Sequence, residues 1–250
     1  MSTLEELIAN RRWVRRDEPF PHVVAQNVFV PEFYTQLDDE FRRIARERPE
    51  AFLRSMAGYD ASAAELAHFR DGPLGVFVSR DWHDLVSAVA GVAATGDVSG
   101  SLHHHDPGSA TGWPHSDLNP GWFAEAAPDA HEVALPHDEI EYRRGPRLPG
   151  VTARETIRAV SVLFYLANPE WSPGDGGETG LFADFDTARL GPRATVAPIN
   201  NSLMIFECTP FSLHAFQSNR LKARNSVIIW LHRAKDDAIA RWGEQSIVNW

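Results

Sequence analysis

Pro114-His115-Ser116-Asp117 places an imidazole and a carboxylate two residues apart. On an extended backbone both side chains leave the same face, so together they can hold one cation. The pair needs a third ligand, because H-x-D also arises in ordinary surface strands. His214 is the best candidate. It lies in Pro210-Phe211-Ser212-Leu213-His214-Ala215-Phe216, between apolar neighbours and just after the strand-like run Leu203 to Phe206. Ten residues further on, Arg224 opens Arg224-Asn225-Ser226-Val227-Ile228-Ile229-Trp230. Alternation puts Arg224, Ser226, Ile228 and Trp230 on one strand face. An arginine on an otherwise apolar inward face is too costly to bury alone. It meets either a protein carboxylate or an anionic ligand gripped by both prongs of the guanidinium. Two histidines and one carboxylate on one side of a metal leave three positions open, an arrangement that points to non-haem Fe(II) oxygen chemistry.

The chain has eleven histidines, so the other clusters need weighing. In His103-His104-His105-Asp106 a strand would send His103 and His105 to one face and His104 to the other. A strand at a pocket rim is favoured there over a ligand role. His131-Glu132 and His137 do not make a helical zinc site, which needs histidines four apart on one helix face, and Pro136 would break the helix. Cys208 follows Phe206-Glu207 at a strand end and reads as a packed thiol. Trp113, Trp122 and Phe123 flank the H-x-D pair, either as an apolar substrate wall or as core.

These side chains must be positioned by a mainly β scaffold with flanking α-helices. After Gly96, short Val/Ile/Phe-rich runs alternate with Gly/Pro/Asn/Asp clusters, as expected of a sandwich or jelly roll. The clearest runs are Ile157 to Leu166, Ala194 to Pro198, Ser202 to Phe206 and Asn225 to Leu231. Residues 1–95 read as mostly helical support. One helix starts at Pro31, with Phe33, Leu37, Phe41 and Ile44 on one face, and stops at Pro49; another spans about Asp81 to Ala93. His22-Val23-Val24 looks like a short first strand. Residues 96–234 would form the β core, interrupted by a Pro-rich, acidic excursion over about 119–155. That excursion carries Arg143, Arg144 and Arg147 and reads either as a lid, with one of these arginines holding an anionic substrate group, or as a solvated basic patch. One domain over 1–250 is the expected organisation.

Lys+Arg 24 against Asp+Glu 34 gives a formal charge of −10, which argues against a nucleic-acid partner held through phosphates. One cysteine excludes an intrachain disulfide and a Cys-rich zinc site. No apolar run reaches the roughly 18–20 residues that span a bilayer, and no signal peptide is apparent. The expected location is the cytoplasm, with no membrane partner; the oligomeric state stays open.

The order H-x-D, distant His, then Arg ten residues later resembles the 2-oxoglutarate- and Fe(II)-dependent oxygenases, in particular their prolyl-4-hydroxylase-like branch. Pro19-Phe20-Pro21-His22-Val23-Val24 and Pro31-Glu32-Phe33 resemble that branch's first strand and helix. Val162 to Asn168, Trp171 and Gly174-Asp175-Gly176-Gly177-Glu178-Thr179-Gly180-Leu181 resemble its "YLN…W…GDGGEL" stretch, and Asn225 to Leu231 its final strand. The resemblance implies a double-stranded β-helix (a jelly roll, cupin-like). It implies His115, Asp117 and His214 as iron ligands, and Arg224 as partner of the distal carboxylate of 2-oxoglutarate. Ser226 and Tyr165 become further candidates at that carboxylate. O2 is the implied oxidant, with ascorbate as a reductant and with succinate and CO2 as co-products. Relatives that halogenate carry a small residue in place of Asp117, so the carboxylate here favours hydroxylation, desaturation or cyclisation. The expected substrate is a small molecule, an amino acid or natural-product intermediate. The alternatives are a peptidyl prolyl residue, or a cupin-type isomerase or binding protein on the same scaffold.

Overall fold

The structure is a computed structural model that describes residues 3–249 apart from Ser55 and Ala57. In chain order its elements are α1 (Leu4–Leu7), β1 (Val14–Arg16), β2 (His22–Gln26), α2 (Pro31–Glu47), β3 (Ser62–Glu65) and α3 (Arg80–Ala90). The β-rich part follows with β4 (Val98–His105), β5 (Pro120–Ala124), β6 (Ile140–Glu141), β7 (Gly145–Pro146) and β8 (Ala153–Tyr165). Then come β9 (Thr179–Phe182), β10 (Ala194–Val196), β11 (Ser202–Glu207), β12 (Leu213–Phe216), β13 (Arg224–Ala234) and α4 (Lys235–Trp242).

A large sheet runs β1-β2-β11-β8-β13-β4-β3, and β5 pairs with the first part of β8. A smaller sheet runs β10-β9-β12. All pairings within both sheets are antiparallel. The two sheets form a double-stranded β-helix. The His115 backbone bridges that of His214 on β12, which brings the H-x-D segment against the smaller sheet.

Alternation decides what each face of the large sheet meets. Val160, Val162 and Phe164 of β8, with Val227, Ile229 and Leu231 of β13, point outward into the main core. Leu37, Phe41 and Ile44 of α2 and Trp82 and Val86 of α3 cover them. Truncating a fully buried aromatic such as Phe164 to alanine should cost about 3–5 kcal/mol. The opposite face carries Leu163, Tyr165, Met204 and Phe206, which pack between the sheets with Leu181. That face also borders a cavity, lined by Leu163, Ile228 and Trp230.

Pro31 occupies the first turn of α2, where its missing N–H costs nothing. Ser79 caps α3 by accepting from Trp82 N at 3.2 Å. The helix expected to reach Ala93 ends at Ala90, because Gly91 takes the left-handed conformation at φ 68°. Residues 1–95 supply more than helices: β1, β2 and β3 extend both edges of the large sheet. The excursion also starts differently from the expected loop, since Pro120–Ala124 turns straight back onto β8 as β5. No helix of the described residues is long and apolar enough to cross a membrane.

Candidate active site

His115, Asp117 and His214 converge, and their ligand atoms all lie within 4.8 Å of one another. Among the described residues this is the one such group able to hold a metal ion. The bridge fixes it: His115 N donates to His214 O at 3.1 Å and His214 N to His115 O at 3.0 Å. Each imidazole faces a carbonyl two residues back, His115 Nδ1 to Trp113 O at 2.9 Å and His214 Nδ1 to Ser212 O at 3.2 Å. A carbonyl only accepts, so both protons sit on Nδ1, which makes Nε2 of each ring the atom able to take a cation.

Burial, then His214, lowers the His115 pKa to about 4, so the ring is neutral. Burial pushes the Asp117 carboxyl up, but His214, Arg158, His115 and a Trp230 hydrogen bond outweigh it and hold the pKa at about 2. Trp230 Nε1 donates to Asp117 Oδ2 at 2.8 Å, and Arg158 Nη1 lies 3.4 Å from Oδ1. Two imidazoles and one carboxylate suit a divalent first-row metal, Fe(II) included.

Arg224, at the start of β13, is buried with 3 % exposure. Its Nη1 donates to Ser226 Oγ at 3.0 Å and its Nη2 to Thr179 Oγ1 at 3.1 Å, while Nε has no partner. The Tyr165 hydroxyl meets Thr179 Oγ1 at 2.7 Å. No carboxylate of the described residues comes within 4.0 Å of the guanidinium. A buried cation whose hydrogen bonds among the described residues go to hydroxyls suits a bound carboxylate.

Both centres open into one cavity of about 590 Å³, whose walls include Leu163, Ile228, Trp230, Tyr59 and Phe216. Tyr142, Arg143 and Pro136 of the excursion, with Leu53 and Met56, line its outer part. The Tyr142 hydroxyl reaches Ser99 Oγ at 2.9 Å, His232 Nε2 at 3.1 Å and Arg158 Nε at 3.2 Å. Gly121 makes that approach possible, since a Cβ there would lie 2.5 Å from the Tyr142 ring. The Arg158 guanidinium stacks 3.8 Å from the Trp230 ring centroid.

His103 and His105 line the cavity from β4 but are not part of the metal group. His105 stacks on Phe216, with ring centroids 3.8 Å apart. His131 and His137 lie outside the site as well. Cys208 is buried and its thiol pKa is pushed up by that burial, as befits a packed group. Trp113, Trp122 and Phe123 are not cavity walls. Trp113 packs edge-on to His115, Trp122 sits beside Gly145, and Phe123 is buried against Tyr142 and His232. Of the three arginines singled out in the excursion, Arg143 alone lines the cavity.

Sequence reasoning missed Thr179, Arg158, Tyr142 and Tyr59. Thr179 stood inside the Gly-rich stretch and could have been found by its place beside a strand start. Arg158 could not, because alternation from Val160 and Val162 sends it outward. A register shift opposite Leu231/His232 turns it into the cavity instead.

No curated protein sequence matches this chain. The fold is similar to that of a Pseudomonas putida prolyl-4-hydroxylase, with a TM-score of 0.51 and 16% identity over 85% of this chain and 92% of that one. It is also similar to a Trichoplax adhaerens prolyl hydroxylase solved with a hypoxia inducible factor peptide fragment (TM-score 0.58, 14% identity, 88% and 86% of the two chains). A third similar structure is the non-heme alpha ketoglutarate dependent epimerase SnoN from nogalamycin biosynthesis (0.53, 13%, 85% and 77%). Residues 100–232 match the 2OG-Fe(II) oxygenase superfamily. That span holds the H-x-D pair, the distant histidine and Arg224, so the chain belongs to the 2OG-Fe(II) oxygenase superfamily and is a 2-oxoglutarate-dependent dioxygenase using Fe(II) and O2.

Proposed function

We propose that this enzyme hydroxylates an unactivated C–H bond of a small molecule, an amino acid or natural-product intermediate. The observation that carries the reading is Arg224, a buried guanidinium without a carboxylate partner that shares a cavity with the His115, Asp117 and His214 group. In this reading those three residues hold Fe(II), and Arg224 takes the distal carboxylate of 2-oxoglutarate. Ser226 holds one prong of the guanidinium. Thr179 holds the other, and Tyr165 orients Thr179 through its hydroxyl. The bound iron supplies oxidising power from O2 as 2-oxoglutarate becomes succinate and CO2.

The chain's own part is placement and exclusion. The Nδ1–H bonds to backbone carbonyls stop both imidazoles from rotating. Trp230 and Arg158 hold the Asp117 carboxylate, one at each oxygen. Leu163, Ile228 and Phe216 keep the chamber apolar where a C–H must come close. A cavity of about 590 Å³ suits a small ligand.

Anaerobic Fe(II) protein titrated with 2-oxoglutarate should develop a weak visible charge-transfer band, and Arg224→Ala should weaken that titration roughly a hundredfold. A wild-type protein that gives no band at saturating co-substrate overturns the reading. Amino acids and Pro-containing peptides, scored for a product heavier by one oxygen atom, then separate small-molecule from peptidyl substrates.

A further inference from the structure

The outer wall of the cavity carries an exposed guanidinium that pairs with no carboxylate of the described residues. Arg143 sits in the short turn between β6 and β7 and lines the cavity together with Asp117, Trp230 and Arg158. No hydrogen bond and no carboxylate of the described residues holds its guanidinium. Its neighbour Arg144 turns away to Glu141, 3.5 Å off.

The backbone around Arg143 is nevertheless well fixed. Tyr142 O accepts from Trp122 N at 2.9 Å, and Arg144 N donates to Glu141 O at 3.0 Å. The Tyr142 hydroxyl is tied to Ser99, His232 and Arg158. Gly145, at φ 96°, lets the turn close against Trp122. An anchored backbone thus presents an unpartnered cation to the chamber. Partial burial and the nearby Arg158 charge both lower the Arg143 pKa. An anion arriving there would offset the repulsion from Arg158.

Arg224 is a separate pole, already engaged with Thr179 and Ser226 and assigned above to the co-substrate. We propose that Arg143 receives a carboxylate of the primary substrate, so that the molecule oxidised is a small carboxylic acid held by that group at the cavity mouth. A carboxylate accepts from both prongs of a guanidinium with a matching charge, whereas a peptide bond offers one neutral oxygen. The proposal rests on the reading of this cavity as the substrate chamber.

The test is anaerobic calorimetry on the Fe(II) protein saturated with 2-oxoglutarate, which occupies Arg224. The probes are each proteinogenic L-amino acid and its primary amide. The expected result is at least one acid that binds about tenfold tighter than its amide, with the preference erased in Arg143→Gln and partly kept in Arg143→Lys. The charge-transfer band should be the same in all three proteins. Absence of any acid-over-amide preference in the wild type, or its survival in Arg143→Gln, overturns the proposal. The band is read separately, so its loss in the wild type would sink the metal-centre reading, while the acid preference would still report on Arg143.

Discussion

The inner and outer ends of the cavity are held in different ways. At the inner end, His214 and Arg224 lie on strands and His115 and Asp117 on a segment bridged to one, so ladder hydrogen bonds fix them. At the outer end, Tyr142 and Arg143 hang from a long connection, where the Tyr142 hydroxyl is tied by side-chain bonds and the Arg143 guanidinium by none. The two buried arginines that line the cavity repeat the contrast in charge. Arg158 faces the Asp117 carboxylate, whereas Arg224 donates to hydroxyls and to no carboxylate of the described residues. A paired buried charge supports the protein, whereas an unpaired one is kept for something that arrives later.

The largest effect should come from Asp117→Ala, which strikes the inner end. Fe(II) binding and turnover should both be lost, as measured by metal analysis and 2-oxoglutarate consumption. The metal-free protein should also lose about 3 kcal/mol in denaturant, since Arg158 is left buried without its carboxylate. Next comes the arginine comparison itself. Arg158→Met should lower stability by about 3 kcal/mol. Arg224→Met should stay within about 1 kcal/mol of wild type without ligand, but its melting temperature should no longer rise with added 2-oxoglutarate. Equal losses for the two variants would erase the distinction.

Tyr142→Phe probes the outer end. Removing a hydroxyl shared by Ser99, His232 and Arg158 should cost about 2 kcal/mol and raise the substrate KM more than the 2-oxoglutarate KM. A matched rise in both would mean that the two ends are one unit. The smallest effect concerns pH. Burial, then Arg224, His103 and His104, hold the His105 pKa at about 2, against 6.5 for an ordinary histidine. The unfolded chain therefore takes up the proton first. The His105 contribution is complete above about pH 6.5 and is lost as pH falls from there towards 2, by about 0.7 kcal/mol between pH 7 and 6. His105→Phe, which keeps the stack on Phe216, should flatten that part of the stability curve.

The inner end was the legible one because a strand writes its geometry into the sequence with a period of two. His115 and Asp117, two apart, and Arg224 and Ser226, two apart, do share faces and do meet. The apolar runs at 157–166 and 225–231 became β8 and β13 for the same reason. The outer end follows no period. Tyr142 reaches the site because Gly121 leaves room for its ring, a fact of three-dimensional packing. Arg158 hides behind a register shift that reverses the expected face. Trp113, Trp122 and Phe123 misled because closeness in sequence to a ligand does not fix which way a side chain turns.

The reciprocal backbone bridge between His115 and His214 has one last consequence. Main-chain bonds already hold the two rings as neighbours, so capturing the ion demands little rearrangement of the chain. Chelation should therefore strip the protein without unfolding it, and readmitting a ferrous salt should restore function without a refolding step.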